Sequence, residues 1–158
     1  MIDLIFTLKL LHILGAAILF GTGLGIAFFM WMAHRSRDVA LIASTARVVV
    51  IADALFTASA VIVQPVSGAA LAWLGGHSLL DSWIAASIVL YLLVGACWLP
   101  VVWIQLRMRD LAAAALRAGV PLPAIYRDLF RLWLMLGWPA FIGVIAIFAL
   151  MIGKPALW

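Results

Sequence analysis

The chain contains no glutamate, and its six acidic residues are all aspartate. Helical bundles that hold paired metal ions build the site from inward-facing glutamates and Glu-x-x-His pairs, so that class is excluded. There is one cysteine, Cys97. It excludes an intrachain disulfide and, lying inside an apolar run, reads as a small core residue. Charge of either sign is scarce: 10% of 158 residues, against about a quarter in a soluble domain. Catalytic patterns are missing too. There is no zinc-ligand spacing and no supported Ser-His-Asp arrangement. Gly21-Thr22-Gly23-Leu24-Gly25 follows no strand and lies within a membrane helix, so it is not a nucleotide loop.

What the chain does have is apolar surface, at 68% of its residues. No soluble core of this size hides that much, so the bilayer must serve as solvent for most of the surface. Four hydrophobic runs are expected to span it, over about residues 2–32, 46–74, 83–106 and 132–152. The fold class is therefore an all-α, four-transmembrane-helix bundle forming one domain, residues 1–158. There is no internal repeat. The apolar N-terminal run is long and its charge cluster follows rather than precedes it, which argues against a cleaved signal peptide.

The net charge of +4 could point to nucleic acid, but the cations flank hydrophobic spans, as topology demands. No nucleic-acid partner is expected. Arg35, Arg37, Arg47, Arg107, Arg109, Arg117, Arg127 and Arg131 all flank the first and third loops, whereas Lys9 and Lys154 flank the other side. Cytoplasmic loops carry the excess of Lys and Arg, so both termini are expected on the non-cytoplasmic side.

Polar residues in lipid turn toward the bundle interior, and an ionisable one is a functional-site hypothesis by default. His12 shares a helix face with Gly15, Ala16, Leu19 and Gly23. Asp53, Thr57, Ala60, Gln64, Ser67 and Gly68 form a stripe on the second span. Ser87, Tyr91, Trp98, Val102 and Gln105 form one on the third, and Trp138 and Pro139 are the inward candidates on the fourth. Gln64 lies about 25 Å along the helix from Arg47, near the level of His12. His12, Gln64 and Tyr91 are thus expected to converge in the outer leaflet. Asp53 lies only about 9 Å beyond Arg47, and a structural pair with Arg131 or Arg107 is expected for it.

Neutral imidazole is a good axial ligand for haem iron. His12 and His77 are the candidate ligands on the outer side. They would form a pair if the Gly75-Gly76 turn folded inward. His34 is about 33 Å from His12 along the helix and cannot serve the same iron. Lys9, one turn from His12, could meet a propionate or a lipid headgroup, or simply extend to the interface as lysines at helix ends do. The candidate cofactor-binding set is therefore His12, Lys9, Gln64, Tyr91 and His77, with haem b, or a quinone, as cofactor. Equally, His12 can be a polar cross-link between helices. The chain would then be a non-catalytic membrane partner or transporter-associated subunit, with the Arg107–Arg131 loop docking on anionic lipid or a cytoplasmic protein.

Lys9-x-x-His12, the Gly21–Gly25 run, Val63-Gln64-Pro65-Val66-Ser67-Gly68, Cys97-Trp98-Leu99-Pro100, Arg107-Met108-Arg109-Asp110 and Gly137-Trp138-Pro139 together resemble the bacterial integral-membrane family called domain of unknown function 2269. The resemblance covers nearly the whole chain and implies a four-helix inner-membrane protein without an established activity. The first helix is also distantly similar to HemJ-type protoporphyrinogen oxidases and CopD-like membrane proteins, which carry Lys-x-x-His in a glycine-containing first helix. That likeness implies haem b binding, with Lys9 and His12 as the matching positions. The remaining helices do not match clearly.

Overall fold

A computed structural model describes residues 2–158. Its elements are α1 (Ile2–Ser36), α2 (Val39–Ala52), a π-helical turn (Asp53–Thr57), α3 (Ala58–Leu74), α4 (Ser82–Ala118) and α5 (Ala124–Gly153). There is no strand among the described residues. Four segments are long and apolar enough to cross a membrane: α1, the combined α2–π–α3 rod, α4 and α5.

The first and last chain reversals each have a local cause. Arg37 takes the left-handed conformation, at φ 59°, after α1. Asp38 then caps α2, its Oδ1 accepting from the amides of Ala40 at 2.8 Å and Leu41 at 3.3 Å, which satisfies donors that the first helical turn leaves free. Gly119 ends α4 at φ 64°, with the Val120 amide returning to the Ala115 carbonyl at 3.1 Å, a glycine C-cap. The C-terminal tail folds back over the start of α4. There Ser82 Oγ donates to the Pro155 carbonyl at 3.2 Å and accepts from the Leu157 amide at 2.9 Å.

The interior is uneven along the bundle. The packed core joins Ile26, Met30 and Ala33 of α1, Ile42, Ala46 and Val49 of α2, Ile104, Met108 and Ala112 of α4, and Tyr126, Phe130 and Trp133 of α5. All of it lies toward the arginine-rich end. Toward the terminal end, α3 leans on α1, while α4 pairs with α5 along its length. Ring stacking of Phe20 on Phe141, with centroids 4.9 Å apart, joins α1 to α5. Leu4, Phe6, Ile13, Ile62, Leu92 and Ile152 are among the many large apolar side chains left exposed, which is the arrangement a lipid solvent requires.

Two sequence expectations are corrected. Trp138 and Pro139 are both exposed rather than turned inward, Trp138 by 65%. Gly23 lies on no helix interface, since a Cβ there would meet nothing within 4 Å.

Candidate functional site

The α1–α3 contact is built around His12. Pro65 has no amide hydrogen, so within α3 it cannot bond the carbonyl of Val61 four residues back. Tyr91 of α4 supplies the missing donor, its hydroxyl reaching the Val61 oxygen at 2.5 Å. One turn further, Gln64 Nε2 donates to the His12 carbonyl at 2.7 Å. His12 Nδ1 meets Ser67 Oγ at 2.8 Å. Two glycines make this approach feasible. A Cβ on Gly15 would stand 2.5 Å from Gln64 Nε2, and one on Gly68 would stand 3.2 Å from His12 Cε1.

The polarity of the His12–Ser67 bond follows from its neighbour. Ser67 Oγ lies 2.6 Å from the Val63 carbonyl, which can only accept, so the single hydroxyl proton is committed there. Ser67 must then accept from His12, and the ring carries its proton on Nδ1, a tautomer assigned from the network. Nε2 keeps its lone pair and makes no hydrogen bond among the described residues.

The other members of the expected set stand apart. Lys9 is exposed, one turn before His12, without a hydrogen bond or ion pair among the described residues. His77 follows the Gly75-Gly76 turn. Its Nδ1 pairs with Asp81 Oδ2 at 3.1 Å, and its ring meets Trp83 edge-on at 5.4 Å between centroids. Gly75 lies next to His77, as Gly68 lies next to His12, and the two glycines are about 10 Å apart along α3. The structure thus joins His12 with Gln64, places Tyr91 one turn below them, and leaves Lys9 and His77 outside the contact. His34 is at the opposite end of α1, stacked on Phe130 with centroids 3.8 Å apart.

A second polar cluster surrounds Asp53, which is 5% exposed. The expected pair with Arg131 or Arg107 does not form. Arg131 is exposed and faces Asp128 at 3.8 Å, and no cation contacts Asp53 among the described residues. Trp98 Nε1 donates to Asp53 Oδ1 at 3.4 Å. Gln105 lies between Asp53 and Trp133. An indole can only donate, so the Gln105 amide is assigned with its oxygen toward Trp133 Nε1, at 3.3 Å, and its nitrogen toward Asp53 Oδ2, at 3.2 Å. Asp53 opens the π turn, and Thr57 closes it. The sequence stripe contained Asp53 and Thr57. Trp133 was missed, because an aromatic residue in an apolar run gives no sign of which ring nitrogen will find an acceptor.

Rods of apolar surface around small polar contacts define a polytopic helical membrane protein. The particular family is shown by the chain itself: residues 6–155 match the family described as predicted integral membrane protein (DUF2269), and the chain belongs to it. No curated protein matches the chain, and no solved structure matches it.

Proposed function

We propose that this is a small redox protein of the bacterial inner membrane that carries haem b, or a quinone, at its outer rim through His12. One observation supports the reading: Ser67 fixes the Nδ1 side of His12 and leaves Nε2 available. Ligating histidines characteristically donate their other ring nitrogen to an outer partner, which sets tautomer and orientation. His77 has the same form, with Asp81 at its Nδ1. The donor set therefore fits an imidazole-bound iron. His77 would hold the same iron only once the Gly75-Gly76 turn folded toward α1. Haem b would supply one-electron transfer. The residues of the chain orient the ligand (Ser67), hold α1 against α3 (Gln64) and offer a cation to an acidic substituent (Lys9).

The test is an absorption spectrum of the purified protein from haem-replete cells. A Soret band that shifts on reduction is expected, with loss of the band in His12→Ala and a changed spectrum in His77→Ala. A colourless, metal-free wild-type preparation overturns the haem reading.

A second reading, a non-catalytic membrane partner, is favoured by α4 itself. Its 37 residues span about 55 Å against a hydrocarbon thickness of about 30 Å. The overhang carries Arg107, Arg109 and Arg117, a surface suited to anionic lipid or an acidic protein. Neutralising the three arginines weakens partner co-purification on this reading. An unchanged complex refutes it.

A further inference from the structure

Asp53 presents a charge problem that its neighbours do not solve. An ionised carboxylate inside a membrane span is expensive unless it is paired. Every element packed around it offers only neutral groups. From α4 come Trp98 and Gln105, and from α5, through Gln105, comes Trp133. On α1 there is no titratable residue between His12 and His34, and on α5 none between Arg131 and Lys154. On α2 the nearest cation is Arg47, which is exposed.

The donors are arranged in one direction. Trp133 gives its proton to Gln105, Gln105 gives one to Asp53, and Trp98 gives another. Two N–H groups, on Trp98 and Gln105, therefore point their positive ends at one carboxyl group, and Trp133 backs the second of them through the Gln105 amide. They soften its negative charge and cannot cancel it. Thr57 is the second observation. It is 5% exposed, and its Oγ1 faces the Asp53 carboxyl yet forms no complete hydrogen bond. Native proteins seldom leave a buried hydroxyl in that state without a reason. It lies at the far end of the same π turn. Such turns interrupt the regular helical ladder and are frequent at functional sites.

We propose that Asp53 and Thr57 form a site for one monovalent cation, a proton or a sodium ion, within the membrane span. The shared chemistry is a single positive charge held between a carboxylate oxygen and a hydroxyl oxygen. As a proton it passes from hydronium in the aqueous phase, which is left as water, to form an O–H bond on the carboxyl that donates to Thr57 Oγ1. As a sodium ion it takes the same two oxygens as ligands. The site is independent of His12, about 16 Å from Gln64 along the rod.

The composition makes the test unusually clean. With no glutamate in the chain, and with Asp3, Asp38, Asp110 and Asp128 exposed and Asp81 half-exposed, Asp53 is the one buried side-chain carboxyl among the described residues. The experiment is infrared difference spectroscopy of the whole protein in a maltoside detergent, which has no carbonyl group. Aspartate is carboxyl-labelled with carbon-13. In sodium-free buffer, proton occupancy gives a label-sensitive stretch of a protonated carboxylic acid that exchanges slowly into heavy water and is absent in Asp53→Asn. Sodium occupancy instead gives carboxylate bands that shift when sodium replaces potassium, again absent in Asp53→Asn. Thr57→Val is expected to move the proton or sodium concentration that half-fills the site by about tenfold, the equivalent of one hydrogen bond. The isotope label identifies the band in wild-type protein even where Asp53→Asn does not fold. Carboxylate bands indifferent to sodium, and to pH throughout the range in which the protein stays folded, overturn the proposal.

Discussion

Replacing Gly15 with alanine tests the α1–α3 contact at one atom. The new methyl would stand 2.5 Å from Gln64 Nε2, while ordinary van der Waals contact begins at 3.4 Å. The amide must therefore withdraw by nearly an ångström. Its bond to the His12 carbonyl is 2.7 Å long and would stretch to about 3.5 Å, where little of a hydrogen bond survives. Interhelical hydrogen bonds in membranes contribute about 0.6 kcal/mol on average and up to about 1.7. Against that loss, alanine is favoured over glycine in a helix by about 1 kcal/mol. The net effect of Gly15→Ala then lies between about 0.4 kcal/mol of stabilisation and about 0.7 kcal/mol of destabilisation. In a Gln64→Ala background the obstructing amide is gone and only the helical gain remains. There the same substitution stabilises the protein by up to about 1 kcal/mol. The four proteins form a double-mutant cycle, read by titrating unfolding with sodium dodecyl sulfate in mixed micelles. A coupling of about 1 kcal/mol is expected. Gly23→Ala is the control, since its Cβ meets nothing within 4 Å. Additivity of Gly15→Ala and Gln64→Ala to within about 0.5 kcal/mol would refute the contact as described.

Two further outcomes rest on the same measurement. Gly143→Ala puts a Cβ 2.6 Å from Val94 Cγ2. Valine is stiff at χ1, so a cost of about 1–3 kcal/mol is expected. Val94→Ala should recover most of it, and no recovery would place the strain elsewhere. Tyr91→Phe leaves the Val61 carbonyl without its donor and is expected to cost about 1 kcal/mol. In a Pro65→Ala background the restored helical amide serves that carbonyl, so the cost should shrink. An equal cost in both backgrounds would show that the tyrosine stabilises by packing alone.

The four rods, the breaks at Gly75-Gly76 and Gly119, and the topology bias of the arginines are legible in hydropathy and in a few residue types. Counting along straight helices places Gln64 at the level of His12, and the two do touch, because depth is nearly linear in residue number. The same counting placed Asp53 within reach of Arg131, and it failed. Rotation about the helix axis decides which face a residue presents, and the π turn beginning at Asp53 shifts that rotation by part of a turn. The arginine stays exposed, and the indole and amide groups of Trp98 and Gln105 take its place. The bond polarity at His12 was also beyond sequence reasoning. It depends on whether Ser67 spends its proton on its own helix, which only the distance to Val63 reveals.

The uneven interior has a consequence for how this protein meets its surroundings. Near the arginines, Tyr126, Met108 and Ala112 are sealed from any outside medium by neighbouring protein. Near the termini, α3 and α4 barely touch beyond the Tyr91–Val61 bond. In a bilayer, acyl chains would fill the space that side chains leave open there. Exchanging one lipid for another would accordingly be felt at the end that carries His12, while the opposite end keeps its shape.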